Sequence, residues 1–239
     1  MHIHVYPTHN QVPETELPAK LIVIIDVLRA TSVIATALAN GATKIMTTPS
    51  IEEALERKSA NPDLLLGGER NAQKIQGFDF GNSPLEYTKA KILDKTLLLC
   101  TSNGTKAVRK ALGAETIIAA SFLNGDAVVD YLAKRNEDIV LICSGTNGHF
   151  SLDDGLCAGF IIHQLRKTKE VFCSDFAELL SLAFQNNTYS LSELLKNAFH
   201  LNYLQSMGYQ NDVNYCLKIN YLKLIPVWDK TGFVISKDS

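Results

Sequence analysis

Three acidic residues lie at positions where their carboxylate oxygens could bind a metal ion. Asp26 directly follows five aliphatic residues, Glu69 follows a shorter aliphatic segment, and Asp154 lies in the first turn of a predicted helix. Mg²⁺ prefers oxygen ligands, commonly one or two carboxylates together with water and a substrate phosphate. We therefore expect these three side chains to surround one magnesium ion. A structural alternative stays open for each of them, because carboxylates also cap helices and pair with neighbouring arginines.

The carboxylate of Asp153 competes with that of Asp154 for the same role. Adjacent side chains diverge on a helix, so at most one of the two should reach the site, and we favour Asp154. Asp26 has two roles that stay open at this point. It acts either as the attacking nucleophile or as a third metal ligand.

Two arginines lie close to these carboxylates along the chain. Arg29 follows Asp26 by about one helical turn, and Arg70 directly follows Glu69. A guanidinium binds phosphate or carboxylate through two parallel hydrogen bonds, which an ammonium group cannot do. We therefore predict that Asp26, Arg29, Glu69, Arg70 and Asp154 form the catalytic group, with both arginines binding substrate.

Small polar residues and glycines stand where three aliphatic strands are predicted to end and helices to begin. Free N–H groups at the start of a helix bind anions, and glycine lets the backbone approach them closely. The alternative, in which these residues only form turns and caps, stays open. Neither GxxxxGK[ST] nor GxGxxG occurs, which argues against a nucleotide-binding enzyme. The predicted neutral donors to a phosphate are Thr31, Asn82, Ser83, Ser102, Asn103, Gly104, Thr105 and Asn147.

The elements that position these residues alternate between strand and helix. Aliphatic segments such as Leu21–Ile25, Thr96–Cys100 and Ile139–Cys143 predict strands buried on both faces, and helical periodicity follows each one. This alternation predicts a three-layer α/β/α fold with a mostly parallel sheet. The fold is either one body or two closely packed lobes, 1–113 with the carboxylate and phosphate loops and 114–239 completing the site. Ligands bind beyond the carboxyl ends of strands in such sheets.

Local patterns predict further details of the fold. Residues 64–66 are expected to form a short strand that ends in a turn at Gly67 and Gly68, and residues 83–86 a capping box. One helix is predicted over 191–207, and a hairpin from 222–228 and 233–236. His149 lies in a junction loop and is a candidate acid, whereas His163 and His200 fall in helical patterns typical of packing residues.

The composition excludes several classes of function. Lys and Arg total 23 and Asp and Glu total 25, and the resulting net charge of −2 offers nucleic acid no broad basic surface. No apolar segment approaches the about 20 residues that span a bilayer, and the first residues lack the pattern of a secretion signal. Five cysteines without a CxxC pair argue against disulfides and a zinc ribbon. We expect a cytoplasmic protein without nucleic-acid or membrane partners, and leave homo-oligomerisation open.

Several of these segments together resemble one known family. The chain is similar to the 2-phosphosulfolactate phosphatases at residues 26–31 (DVLRAT), 68–70 (GER), 77–84 (GFDFGNSP), 102–105 (SNGT) and 147–154 (NGHFSLDD). It departs from the family pattern at three positions. The family usually has arginine in place of His149, a longer acidic residue in place of Asp153 and threonine in place of Ser102. Residues 173–220 carry no motif that matches the family.

The resemblance implies a Mg²⁺-dependent phosphatase with an α/β/α fold and its site at the strand ends. Its substrate would be a small anionic phosphoester, 2-phosphosulfolactate, and the reaction would be a step toward coenzyme M. Whether water or an aspartate attacks phosphorus stays open. The alternative hypothesis is a non-catalytic sensor in which the same loops and arginines bind an organic anion without a metal.

Overall fold

The strand Leu21–Ile25 lies near the centre of the structure and is buried along its whole length. Its side chains alternate between two hydrophobic cores. Leu21, Val23 and Ile25 pack into one core, and Ile22 and Ile24 pack into the other. Because successive side chains of a strand point to opposite faces, this aliphatic segment places a core on each side of the sheet.

The computed structural model describes residues 1–18, 20–185 and 190–237. The strands are β1 His2–Tyr6, β2 Leu21–Ile25, β3 Lys44–Thr47, β4 Leu65–Arg70, β5 Gln73–Lys74, β6 Thr96–Cys100, β7 Thr116–Ala120, β8 Ile139–Cys143, β9 Phe172–Cys173, β10 Pro226–Trp228 and β11 Phe233–Ile235. The α-helices are α1 Ala30–Ala39, α2 Ile51–Ala60, α3 Lys89–Ile92, α4 Gly104–Ala111, α5 Gly125–Ala133, α6 Leu152–Leu165, α7 Asp175–Gln185, α8 Leu191–Leu194, α9 Phe199–Ser206 and α10 Gln210–Cys216.

In the described part of the chain, all the strands join one sheet in the order β5-β4-β6-β3-β11-β10-β7-β2-β8-β1-β9. Strands β4, β6 and β3 are parallel to one another, as are β7, β2, β8, β1 and β9. The antiparallel hairpin β10–β11 joins these two parallel groups. The predicted three-layer α/β/α fold with a mostly parallel sheet is confirmed. The division into lobes at residue 113 stays a prediction, and one sheet runs through both parts.

Helix α1 explains how the two parallel groups approach each other. Every residue from Ala30 to Leu38 is buried, and the helix contacts strands β3, β7, β10 and β11. A helix that is buried on all sides needs partners on all sides, and α1 packs against strands of both parallel groups and against the hairpin between them. As a result α4, which follows β6, contacts β2, although four strands separate β6 from β2 in the sheet.

Gly67 and Gly68, which follow the short aliphatic segment at residues 64–66, lie inside strand β4. The predicted turn at these two glycines is therefore wrong. Strand β4 continues through both glycines to Arg70. A Cβ on Gly67 would lie 2.1 Å from the Tyr87 hydroxyl, and one on Gly68 would lie 1.9 Å from the Cys100 carbonyl oxygen. These glycines therefore allow close packing against β6 and Tyr87, which keeps Glu69 at the carboxyl end of β4.

Two other local predictions need correction. The segment 191–207 is split into α8 and α9, and α10 follows as an additional helix. Residues 83–86 form a 3-10 turn in which Ser83 does not act as the cap. The Ser83 hydroxyl instead donates to Asp212 at 2.7 Å. The C-terminal hairpin is confirmed.

Across residues 1–18, 20–185 and 190–237, no helix combines the length and the apolar character needed to cross a bilayer. The cysteines in the same part of the chain are free thiols, and four of the five are buried.

Candidate active site

A cavity of about 80 Å³ opens at the carboxyl ends of β2, β4 and β6, and we call it the carboxylate pocket. It collects residues from the ends of strands in both parallel groups and from helix α9. Its walls consist of Asp26, Leu28, Arg29, Glu69, Asn71, Ala72, Asn82, Thr101, Ser102, Asn103, Asn147, His200, Tyr203 and Leu204.

Asp26 lies in this pocket and its side chain also bonds to the start of helix α1. Its Oδ1 accepts a hydrogen bond of 3.0 Å from Ala30 N, the first residue of the helix. The Thr31 hydroxyl bonds to the Asp26 backbone, donating to its carbonyl oxygen at 2.8 Å and accepting from its N–H at 3.0 Å. Thr31 therefore fixes the backbone of Asp26, and it does not line the pocket.

Burial raises the pKa of Asp26 to about 6, and the negative charges of Asp153 and Glu69 act in the same direction. The hydrogen bond from Ala30 and the nearby His200 ring partly oppose this rise. Desolvation and neighbouring carboxylates both disfavour a charged carboxylate. A cation bound in the pocket would relieve both effects.

Glu69 is held in place by the backbone of two other segments. Its Oε1 accepts from Ser102 N at 2.8 Å, and its Oε2 accepts from Ala72 N at 3.0 Å. The first bond joins the end of β4 to the β6–α4 junction, and the second joins it to the turn before β5. Glu69 is 8% exposed. The surface ion pair with Arg70 does not form, since Arg70 bonds to backbone oxygens and a sulfur atom.

The structure does not bring Asp154 into the carboxylate pocket. Its Oδ1 accepts from Val27 N at 2.9 Å, and its Oδ2 accepts from Gly145 N at 3.0 Å. Asp154 therefore ties the β2–α1 junction to the β8–α6 junction from behind the pocket. Burial raises its pKa well above the ordinary range, and the charges of Asp153 and Asp26 add to the effect.

Asp153 is as deeply buried as its neighbour, at 1% exposure. It accepts a hydrogen bond from the Leu28 backbone, and burial raises its pKa to about 7. Its Oδ1 has no hydrogen-bond partner among the described residues. Neither Asp153 nor Asp154 lines the carboxylate pocket, and both carboxylates meet backbone N–H groups of the β2–α1 junction.

Arg29 lines the pocket, but its charge is paired inside the protein. Its Nη1 donates to Asp212 Oδ2 at 2.5 Å, and its Nη2 donates to the Ala72 carbonyl oxygen at 3.3 Å. The guanidinium also stacks 4.0 Å from the centre of the Tyr209 ring. The second oxygen of Asp212 accepts from Ser83. Helix α10 thus supplies the partner of Arg29, and Ser83 serves this network and does not line the pocket.

The predicted neutral donors divide into two groups. Asn82, Ser102, Asn103 and Asn147 line the carboxylate pocket. Thr105 lies behind it, with its hydroxyl donating to the Thr101 carbonyl oxygen at 2.8 Å. Gly104 also lies behind the pocket, and a Cβ there would stand 2.6 Å from Asp26 Oδ2. Its lack of a side chain makes room for the carboxylate of Asp26.

Arg70 faces a neighbouring cavity. Its guanidinium donates to the carbonyl oxygens of Glu69 at 2.8 Å and Pro49 at 2.5 Å, and to the Cys100 sulfur at 3.3 Å. The second cavity shares Ser102, Asn103 and Asn147 with the carboxylate pocket. His149 does not line the carboxylate pocket, and its backbone pairs with that of Thr146.

Helix α9 contributes pocket residues that local sequence patterns missed. His200 lines the pocket with Tyr203 and Leu204. The His200 Nε2 lies 2.7 Å from the Leu28 carbonyl oxygen, and the ring Nδ1 is buried without a hydrogen-bond partner among the described residues. Because a carbonyl oxygen only accepts, Nε2 carries the hydrogen and Nδ1 a free lone pair. Burial lowers the pKa of His200, which favours the neutral ring.

Oxygen atoms dominate the groups that face the pocket. Asp26 and Glu69 supply carboxylates, and Asn82 Oδ1 is buried without a hydrogen-bond partner in the described structure. Within residues 1–18, 20–185 and 190–237, no group of three or more His, Cys, Asp or Glu side chains is arranged to hold a metal ion. Two carboxylates and an amide oxygen are a donor set that suits Mg²⁺, which keeps water and substrate oxygens as its other ligands.

Comparison with known proteins gives a consistent result along the chain. The model of the family described as 2-phosphosulpholactate phosphatase matches residues 6–231. A protein named probable 2-phosphosulfolactate phosphatase from Clostridium perfringens (strain SM101 / Type A) is 44% identical over 229 residues, which cover 94% of this chain and 92% of that protein. A protein of the same name from Thermotoga maritima is 44% identical over 225 residues, covering 94% and 96%.

A third relative with that name, from Caldanaerobacter subterraneus subsp. tengcongensis, is 41% identical over 231 residues, covering 95% of each chain. The range matched by the family model includes residues 173–220, in which the motifs did not match. The family resemblance of the motifs is confirmed, and the chain belongs to the 2-phosphosulpholactate phosphatase family.

Proposed function

We propose that this protein is a magnesium-dependent phosphatase that converts 2-phosphosulfolactate to sulfolactate and phosphate, a step toward coenzyme M. One observation carries the proposal beyond family membership: Asp26 and Glu69 line the same pocket. Asp26 follows β2 and Glu69 lies in β4, strands that belong to different parallel groups and are far apart in the order of the sheet. The names of the relatives supply the substrate.

The metal is assigned to the pocket oxygens. Asp26, Glu69 and Asn82 would hold Mg²⁺, and the unpartnered Asn82 Oδ1 is the observation that favours this donor set. When bound, the ion would neutralise charge on the phosphoryl oxygens as the ester bond loosens. With Asp26 engaged in this way, direct attack by water is the simpler mechanism, and attack by Asp26 on phosphorus is the alternative.

Neighbouring residues orient the substrate. The backbone and side chains at Ser102, Asn103 and Asn147 offer neutral donors to the phosphoryl oxygens. Arg29 adds positive potential at the pocket wall, moderated by its ion pair with Asp212. Neutral donors and a single arginine bind an anion less tightly than several cations would. Such a site allows the product phosphate to leave.

His200 is the proposed proton acceptor. Its Nδ1 lone pair is free, and its ring is fixed by the Leu28 carbonyl oxygen. The attacking water gives a proton to Nδ1 while its oxygen bonds to phosphorus and the ester P–O bond breaks. The electron pair leaves on the sulfolactate oxygen, which then takes the proton from His200.

Phosphate release from a panel of small phosphoesters tests the proposal, with Mg²⁺ and with a chelator. Asp26→Asn and Glu69→Gln should each lower kcat by about 10²-fold or more, since both groups act on the transition state. Glu56→Gln, at an exposed position on α2, is the matched control and should retain full turnover. Full Mg²⁺-dependent turnover in both pocket variants would overturn the assignment. Binding of organophosphates without phosphate release would favour the sensor.

A further inference from the structure

A second cavity adjoins the carboxylate pocket and differs from it in charge. It has a volume of about 590 Å³ and shares Ser102, Asn103 and Asn147 with the carboxylate pocket, so the two cavities are direct neighbours. Arg70 and Lys106 line it, and no acidic residue does in the part of the chain that the structure describes. We call it the basic cavity.

The positive charge of Arg70 is not neutralised by an ion pair. Its three hydrogen-bond partners are the Glu69 and Pro49 carbonyl oxygens and the Cys100 sulfur, all uncharged. These contacts fix the guanidinium at the cavity wall without cancelling its charge. The charge of Arg70 also acts on Glu52, whose exposed carboxylate accepts from Ser50 Oγ at 2.8 Å.

Lys106 adds a second cation from helix α4. It is exposed, and none of the ion pairs among the described residues includes it. Lys110, one turn further along the same helix, differs in that it pairs with Glu14 at 3.5 Å and does not line the basic cavity. The two lysines therefore form a natural pair of test and control positions.

We propose that the basic cavity binds a second anionic group of the substrate, the sulfonate, with Arg70 and Lys106 as its charged partners; this inference rests on the proposed function. In 2-phosphosulfolactate the carboxylate is on the same carbon as the phosphate ester, and the sulfonate is one carbon further away. A phosphate in the carboxylate pocket leaves the sulfonate as the group that reaches the adjoining cavity. The difference in charge between the two cavities thus directs the phosphate to the carboxylate pocket and the sulfonate to the basic cavity.

The proposal makes Lys106 a specificity-determining residue, and paired substrates test it. 2-Phospholactate lacks the sulfonate but keeps the phosphate and the carboxylate. Lys106→Gln should lower kcat/KM for 2-phosphosulfolactate about tenfold, mainly through KM. The loss should be at least fivefold greater than the loss for 2-phospholactate. Lys110→Gln should change neither substrate's kcat/KM. Equal losses of Lys106→Gln on both substrates, or no loss, would overturn the proposal.

A binding experiment separates this inference from the proposed function. Calorimetry with sulfolactate and with lactate needs no catalysis. Sulfolactate should bind wild-type protein about tenfold more tightly than it binds Lys106→Gln, and lactate should show no such difference. If that difference appears but no phosphoester is hydrolysed, the basic cavity stands and the phosphatase assignment fails. If phosphoesters are hydrolysed but sulfolactate binds both proteins equally, the basic cavity fails alone.

Discussion

Arg29 and Asp212 form a buried ion pair across 183 positions of the chain, with Arg29 Nη1 donating to Asp212 Oδ2 at 2.5 Å. Their side chains are 2% and 6% exposed. The pair joins the start of helix α1 to helix α10, and thereby closes one side of the carboxylate pocket with the C-terminal helices. It also leaves the guanidinium less free to bind phosphate than an unpaired arginine would be.

Asp212→Asn is predicted to destabilise the fold strongly. Asparagine keeps an oxygen for the Ser83 hydroxyl but leaves the buried Arg29 charge uncompensated, and removing one partner of a buried pair costs about 3–5 kcal/mol. Urea unfolding should show the loss in the free energy of unfolding.

The partly exposed pair of Arg166 and Glu178 provides the comparison for Asp212→Asn. Glu178→Gln should cost only about 0–1 kcal/mol because solvent screens that pair. If Asp212→Asn were no more destabilising than Glu178→Gln, the Arg29–Asp212 pair would not have the structural role described above.

Gly104→Ala is predicted to lower turnover by acting on Asp26. The added Cβ would stand 2.6 Å from Asp26 Oδ2 and 2.6 Å from Ala30 Cβ, so the carboxylate must move. We expect kcat to fall by about tenfold or more, because displacement by about 1 Å is enough to cost catalysis. Steady-state kinetics on folded protein measures this effect.

Gly232→Ala is the steric control for Gly104→Ala. Its Cβ would also meet close neighbours, Lys44 Cγ at 2.7 Å and the Ile45 carbonyl oxygen at 2.9 Å, but it lies in the C-terminal hairpin. This variant should lose stability while its folded fraction keeps the wild-type kcat. A normal kcat in Gly104→Ala would show that Asp26 tolerates the displacement.

His200→Gln is predicted to reduce kcat by about 10²-fold with a smaller change in KM, the range expected when a general base is lost. The glutamine amide retains a donor for the Leu28 carbonyl oxygen but has no imidazole Nδ1. His163→Gln, on α6 and outside the pocket, should leave kcat unchanged. A His200→Gln enzyme within threefold of wild-type kcat would remove His200 from the mechanism.

Asp154→Asn is predicted to lower the stability of the fold more than the affinity for magnesium. The carboxylate accepts two buried backbone N–H groups, and asparagine can satisfy only one of them, so the free energy of unfolding should fall by about 1–3 kcal/mol. The Mg²⁺ concentration that gives half-maximal activity should rise far more in Glu69→Gln than in Asp154→Asn.

The exposed Asp126, in the first turn of α5, gives the control for Asp154→Asn. Asp126→Asn should change neither stability nor magnesium dependence by much. The opposite pattern for Asp154→Asn, unchanged unfolding with a large loss of magnesium affinity, would restore Asp154 as a metal ligand.

Local patterns predicted the elements that lie next to the pocket with good accuracy. Leu21–Ile25, Thr96–Cys100 and Ile139–Cys143 form the expected strands, and helices follow them at Ala30, Gly104 and Leu152. A strand that is buried on both faces needs aliphatic residues along its whole length. The helix that follows begins next to small polar residues. These are short-range requirements, and the residues that meet them are adjacent in sequence.

The same patterns did not reveal the long-range contacts of two residues near the pocket. Asp154 has the sequence context of a ligand, but its oxygens are engaged by Val27 N and Gly145 N. His200 has the context of a packing residue, but helix α9 places it in the pocket wall. The contact between Asp154 and Val27 spans 127 positions and that between His200 and Leu28 spans 172, so a local pattern carries no information about either contact.

The sequence by itself determined the strands Leu21–Ile25, Thr96–Cys100 and Ile139–Cys143, the helices that follow them and the polar segments that carry Asp26 and Glu69. Only the tertiary structure decided which junctions meet. The hairpin β10–β11, at the end of the chain, joins the two parallel groups, and helix α1, buried from Ala30 to Leu38, packs against strands of both groups. The need to cover every face of α1 is a requirement of the whole fold, and it brings the two carboxylates into one pocket.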